Sequence, residues 1–205
     1  MWLSNNILSS ITGDVATKPK IVVIDDVEYY SIDVTTKRAG GYADIVEVLL
    51  NAKDICPEVG SRVRVVGFIF AYYQQNHVKL CLYSLGIINV KSVQDKNLIM
   101  CVGTITRQPK LRSTPLGKIV CDVMLAVNNE LGKTHSSYIP CICWNVTAEN
   151  MSKLKPGQSI LVAGRLQSRE YNKTFDNNET VVKIAKELSI NSFAEIQENL
   201  NEQEV

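Results

Sequence analysis

The sequence predicts an all-β chain built from two copies of one five-stranded domain, and three observations carry that prediction. Runs of β-branched and apolar residues dominate, in alternating or continuous patterns. A series of landmarks recurs once along the 205 residues, at a spacing of about 90–97. Only one short stretch of the second copy has helical periodicity.

The landmarks keep one order. ITGDV at 11–15 matches CVGTI at 101–105, so Gly13 falls on Gly103. SIDV at 31–34 matches VCDV at 120–123, with Asp33 on Asp122. YADIVEVLLNA at 42–52 is set against YIPCICWNVTA at 138–148, which puts Tyr42 on Tyr138 and Val48 on Trp144. GSRVRVVGFI at 60–69 matches GQSILVAGRL at 157–166, placing Gly60 and Gly67 on Gly157 and Gly164. An apolar strand closes each copy, VKLCLYSLGIINV at 78–90 and TVVKIAKELSI at 180–190. The expected organisation is a first domain at 1–95 and a second at 96–190, joined near the polar stretch 90–97, with an acidic tail at 191–205.

In the second copy the strands are expected at 98–106, 118–128, 137–145, 158–171 and 180–190. Between the third and fourth lies VTAENMSKLKPG (146–157), read as a helix. Thr147 is its expected cap, Ala148, Met151 and Leu154 recur at helical spacing, and Pro156-Gly157 stops it. In the first copy Pro57 interrupts the matching stretch, which predicts only a turn. Three strands, a short helix or turn, then two strands is the order of an OB-fold, a five-stranded, partly open Greek-key barrel.

Composition narrows the function. Hydrophobic residues at 45% and charged residues at 21% fit a soluble globular protein. No apolar run approaches the roughly 18–20 residues that span a bilayer. The amino terminus lacks a basic segment followed by an apolar block, so the expected location is the cytoplasm. The six cysteines form no C-x-x-C pair and the two histidines lie outside any ligand spacing, so reduced, buried thiols and no metal are expected. No nucleophile–base pairing and no Gly-rich phosphate loop is present, and no cofactor or catalysis is expected.

The net charge of +1 conceals a polarity. Residues 1–95 hold nine Lys/Arg against ten Asp/Glu, residues 96–190 thirteen against seven, and residues 191–205 four Glu with no base. Basic charge therefore concentrates in the second copy, where a polyanion would bind.

Within that copy, TRQPKLRSTPLGK (106–118) is expected to be a loop carrying Arg107, Lys110, Arg112 and Lys118. Pro109, Pro115 and Gly117 stiffen and turn it while the cations project toward a phosphate backbone. The plainer alternative is a solvated hairpin with incidental charge. On the third strand, alternation puts Tyr138, Pro140, Ile142 and Trp144 on one face and Ile139, Cys141 and Cys143 on the other. Cysteines inward leave the rings outward for base stacking; the reverse assignment buries the rings. On the fourth strand Arg165, Gln167, Arg169 and Tyr171 share a parity opposite to Ile160, Val162 and Leu166, provided that no bulge intervenes. Lys173 and Phe175, in the following polar loop, are the remaining candidates for contact with a nucleic-acid strand.

GTITRQPKLRSTPLGKIVCDVMLAVN (103–128) resembles the opening of the bacterial single-stranded DNA-binding protein family. Its R-x-P-x-x-R-x-T-P-x-G-x-x-V pattern falls on Arg107, Pro109, Arg112, Thr114, Pro115, Gly117 and Val120. YIPCICWNVTAEN and GRLQSREY continue the likeness, and the arrangement of two copies resembles two-domain members from Firmicutes. The resemblance implies that Tyr138, Trp144 and Tyr171 stack on DNA bases, and that four OB-folds assemble, here as a homodimer. A further family tryptophan after the second strand has no counterpart, Leu131 lying nearby. The tail lacks the family's Pro-Phe tip, which weakens the implied recruitment of replication or repair proteins; Phe193, Ile196 and Leu200 instead sit at helical spacing.

Two functional readings follow. One is sequence-tolerant binding of single-stranded DNA in replication, recombination or repair. The other is an assembly module of a primosome or mobile element, acting through protein contacts and favoured by the near-neutral first copy. Stacking platforms alone do not separate DNA from RNA.

Overall fold

The computed structural model describes residues 7–74, 77–128, 131, 136–174 and 180–196, with backbone only at 169–174, 180 and 182–185. Six strands form the first half: β1 (Ser9–Val15), β2 (Lys20–Ile24), β3 (Val27–Lys37), β4 (Ala43–Asn51), β5 (Arg62–Gln74) and β6 (His77–Asn89). The second half repeats them as β7 (Lys96–Ile105), β8 (Lys110–Ser113), β9 (Ile119–Asn128), β10 (Ser136–Trp144), β11 (Ser159–Thr174) and β12 (Thr180–Glu195). Helix α1 (Asn145–Met151) follows β10, whereas turns occupy the matching place after β4. Each half is an OB-fold. Its first strand pairs on both sides, β1 with β3 and β5, and β7 with β9 and β11. A parallel pairing, β4 with β6 and β10 with β12, completes the barrel.

The landmark glycines explain why two copies of one pattern give two copies of one barrel. Gly60 and Gly157 adopt φ of 85° and 88°, in the left-handed region that costs glycine least. Gly67 and Gly164 each face a bulge on the neighbouring strand, where Leu85 of β6 and Asn191 of β12 are the extra residues. The extra residue lies on β12, so the alternation of β11 survives the bulge.

The interior follows the predicted parities. Ile139, Cys141 and Cys143 of β10 and Ile160, Val162 and Leu166 of β11 are buried in one apolar core that is continuous through both halves. The six thiols are free, five of them buried. Burial pushes the Cys101 and Cys143 thiols up to about 12, so both stay protonated at neutral pH. The halves share one sheet as well as one core, because β1 pairs antiparallel with β7 through Ser10–Leu98, Ile11–Asn97 and Thr12–Lys96.

Four expectations need correction. The 106–118 segment is not a loop throughout: β8 pairs with β9 from Lys110–Asp122 to Ser113–Ile119, closing a hairpin turned by Gly117 at φ 75°. The helix is shorter than 146–157 and Thr147 does not cap it. Trp144 occupies the cap position, no side chain caps the helix, and the Thr147 hydroxyl donates to the Asn191 carbonyl at 3.3 Å. The acidic segment does not begin at 191 as a tail or helix: β12 continues to Glu195, and Phe193 packs on the core. Residues 197–205, with Leu200, lie outside the described residues.

The fourth correction is a three-residue slip in the repeat. Thr35 and Ala126 hold equivalent places beside β1 and β7, and they face Ile45 across β3–β4 and Tyr138 across β9–β10. Val48 is a core residue equivalent to Cys141, paired with Leu82 as Cys141 is with Leu188, and Asn51 takes the place of Trp144. A slip by an odd number of residues changes the face of every side chain on a strand.

That slip exposes a difference between the outer faces of the halves. In the first half Leu49, Phe70, Tyr72 and Cys81 form a second apolar cluster, closed by Val22 of the β2–β3 hairpin. The hairpin turns at Asp25 and Asp26, both at positive φ, the conformation a two-residue turn between right-twisted strands requires. Tyr72 donates to Glu47 at 2.6 Å, and Leu131 of the second half packs against the cluster. The first half has filled its outer face with its own side chains.

Candidate nucleic-acid interface

Aligned on Gly67 and Gly164, Arg165 stands where the first half has Phe68, Gln167 where it has Phe70, and Arg169 where it has Tyr72. The outer face of the second half is therefore polar and cationic where its twin is aromatic and closed.

The hairpin turn after β8 is held by Thr114 N–H to the Lys118 carbonyl at 2.8 Å and Gly117 N–H to the Thr114 carbonyl at 2.9 Å. Arg107, Lys110, Arg112 and Lys118 are all exposed. Arg112 is committed to a carboxylate: its Nε lies 2.5 Å and its Nη2 2.9 Å from the two oxygens of Asp122. Arg107, Lys110 and Lys118 have no carboxylate partner among the described residues.

On β10, Tyr138 is 51% exposed and Trp144 half-buried, both on the face away from the core. Of the two assignments that alternation allowed, the rings-outward one is realised. Tyr138 opens onto a groove at the junction of the halves, beside Phe70, Tyr72 and Tyr73. Tyr73 is 72% exposed, the most accessible ring of that group.

Trp144 lies in a separate cleft of about 630 Å³ with Lys118, Arg165, Gln167, Asn191 and Arg38, the last reaching in from the first half. Gln167 is 6% exposed and bridges the wall of this cleft. Its Nε2 donates to Glu187 at 3.0 Å, and its Oε1 accepts from Arg165 Nη2 at 3.0 Å. Three predicted residues, Lys118, Trp144 and Arg165, thus meet in one cleft, and Tyr138 lies outside it. Arg169, Tyr171 and Lys173 continue along β11 in backbone register with Ala185, Lys183 and Val181. Phe175 lies outside the described residues.

Residues 96–192 match the Single-strand binding protein family. The Single-stranded DNA-binding protein of Halalkalibacterium halodurans is 42% identical over 88 residues, 40% of this chain and 50% of the relative. Single-stranded DNA-binding protein B of Bacillus subtilis is 40% identical over 80 residues, 37% of this chain and 71% of the relative. The chain belongs to the single-strand binding protein family. It spans about half the length of the first relatives it matches, 50%, 60% and 46% of theirs. Two crystal structures of the single-stranded DNA binding protein from Thermus aquaticus share the fold of the whole chain. A deletion mutant gives a TM-score of 0.70 at 18% identity, covering 98% of this chain and all of that one. The wild-type structure gives 0.68 at 18% identity, covering 95% of each.

Three contributors to this surface escaped the sequence. Arg38 lies in a half whose near-neutral charge points away from a polyanion; the adjacent cations Lys37 and Arg38 before a Gly-Gly turn are the signal the sequence carries for it. Tyr73 was masked by its neighbour Tyr72, which the fold buries. Leu131 stands near the missing family aromatic and packs on the other half instead.

Proposed function

We propose that this member of the single-strand binding protein family binds single-stranded DNA without sequence preference, through the second half. The observation that supports it is the cleft in which Trp144, Lys118 and Arg165 meet, with the β8–β9 hairpin cations beside it. Rings on an outer strand face stack on any base, and long cations follow the phosphates. Arg107, Lys110 and Lys118 contact phosphates directly, and Arg112 does so on leaving Asp122. Tyr138, Trp144 and Tyr171 stack on bases, and Arg165, Arg169, Lys173 and Phe175 line the strand's path. Residues 96–190 act as the binding domain and residues 1–95 as its partner domain, in DNA replication, recombination or repair in the cytoplasm, with no catalysis.

The test is a titration of oligo(dT) against tryptophan fluorescence at two salt concentrations. Saturable quenching that weakens with salt supports the reading. Trp144→Ala and Tyr138→Ala should each weaken binding by roughly 1–3 kcal/mol, with unchanged thermal unfolding because both rings lie outside the core. Absence of binding at low salt would overturn the proposal.

A homodimer giving four OB-folds also belongs to this reading. Exposed Val23, Tyr73 and Val78 on the first half, in one groove with Tyr138, supply an apolar surface for assembly. Light scattering of the purified chain distinguishes dimer from monomer.

A further inference from the structure

We infer that the first half is itself part of the DNA-binding cleft, with Arg38 serving as a phosphate ligand that Asp44 holds in position. The inference rests on the proposed function and extends it to the half that the charge distribution had set aside.

The cleft is short of negative charge. No carboxylate lines it among the described residues, and Asp44, 1% exposed, stands behind Arg38 of its wall. It accepts from Arg38 Nε at 2.7 Å and also from Arg38 Nη2, a bidentate grip that uses both oxygens. Arg165 approaches the same carboxylate from the other half, its Nε 4.0 Å from Asp44 Oδ2. That Nε is buried and has no hydrogen-bond partner. Two guanidinium groups thus share one carboxylate, and Lys118 lines the same cleft without a carboxylate of its own. Burial and the nearby Arg38 charge both disfavour the Arg165 guanidinium. An anion of phosphodiester size between the two guanidinium groups would relieve that repulsion.

Position supports the assignment. Arg38 sits at the tip of the β3–β4 hairpin, where its N–H donates to the Tyr42 carbonyl at 2.7 Å and its carbonyl accepts from Gly41 N–H at 2.9 Å. The hairpin is tied to the start of the second half by Lys37 N–H donating to Asp95. Asn97 Nδ2 donates to the Leu166 carbonyl at 2.7 Å and to Thr36 Oγ1 at 3.4 Å. An arginine fixed at its backbone and by a carboxylate loses little freedom when it binds. A merely structural ion pair has no need of a cleft beside a tryptophan.

The experiment uses the full chain and fluorescein-labelled oligo(dT), with anisotropy read across a salt series. The variant Arg38→Gln with Asp44→Asn removes the pair without changing net charge, and its amides still bond to one another. Expected are binding about tenfold weaker at low salt and a slope of log affinity against log salt shallower by about 0.7. In parallel, phenylglyoxal modification of the wild-type chain, read by peptide mass, should show Arg38 protected by oligo(dT); this arm needs no folded variant. If the wild type binds and the double variant retains both affinity and slope, or Arg38 reacts equally with and without oligo(dT), Arg38 is no phosphate ligand and the proposed function stands. If the wild type fails to bind oligo(dT), that reading falls and takes this inference with it.

Discussion

Gly67 and Gly164 hold the same place in the two barrels, and each lies against a carbonyl that leaves no room for a side chain. A Cβ at Gly67 would stand 1.9 Å from the Tyr83 oxygen, and one at Gly164 would stand 2.2 Å from the Ser189 oxygen. Both oxygens belong to backbone at a bulge, so the obstruction cannot swing aside as a side chain would.

Gly164→Ala should therefore destabilise the fold by about 1–3 kcal/mol or more, since overpacking against backbone forces the strands to shift. Gly157→Ala meets nothing within 4 Å and carries only the cost of φ 88°, roughly 1–2 kcal/mol. Urea unfolding of both variants measures the difference. Equal losses would mean that the bulge relaxes freely.

Asp122→Asn should strengthen binding to oligo(dT). The Arg112–Asp122 pair is exposed on both sides, so its loss changes stability by less than about 1 kcal/mol. Freed from its carboxylate, Arg112 becomes available to a phosphate, and the salt slope should steepen by up to about 0.7. A fluorescence titration across salt reads both effects.

Tyr72→Phe should cost about 1–3 kcal/mol. The phenol is the nearest donor to Glu47 at 2.6 Å, and the other partners, Ser31 at 3.1 Å and Lys186 at 3.4 Å, are longer. Loss of the hydroxyl leaves a buried carboxylate less well satisfied. Thermal unfolding tests it, with Tyr73→Phe, on an exposed ring, as the control.

Acid should loosen the junction between the halves. Partial burial alone would raise the Asp95 carboxyl, but the Arg62 guanidinium and the Lys37 amide hold it below the usual carboxylate range. A depressed folded-state value contributes stability above the unfolded-state value of about 4, and that contribution disappears as pH falls through the folded-state value. Stability should be flat from neutral pH down to about 5 and fall below that. Asp95→Asn should be less stable at neutral pH and show a shallower acid decline, as pH-dependent unfolding would reveal.

The barrels were legible in the sequence because their signals are local. Gly60, Gly67, Gly157 and Gly164 mark turns and close approaches, and Pro57 predicts the missing helix of the first half. Alternation gave the faces of β10 and β11 for the same reason. The failures were of register and partnership. Tyr42 and Tyr138 are alike in type, and matching them moved Val48 to the wrong face. Arg112 reads as a free cation until β8 pairs with β9 and brings it to Asp122. Arg38 reads as surface charge until the hairpin of one half is laid against the other, and no spacing along the chain encodes that.

The β1–β7 ladder has a consequence for the path of a bound strand. Domains joined by a flexible tether can each find their own stretch of DNA, and the angle between those stretches is then left to chance. Here the angle is built into hydrogen bonds at Ser10, Ile11 and Thr12. A strand leaving the cleft of Trp144 and crossing the tip of the β3–β4 hairpin would have its bend dictated by the protein, like wire drawn over a fixed former.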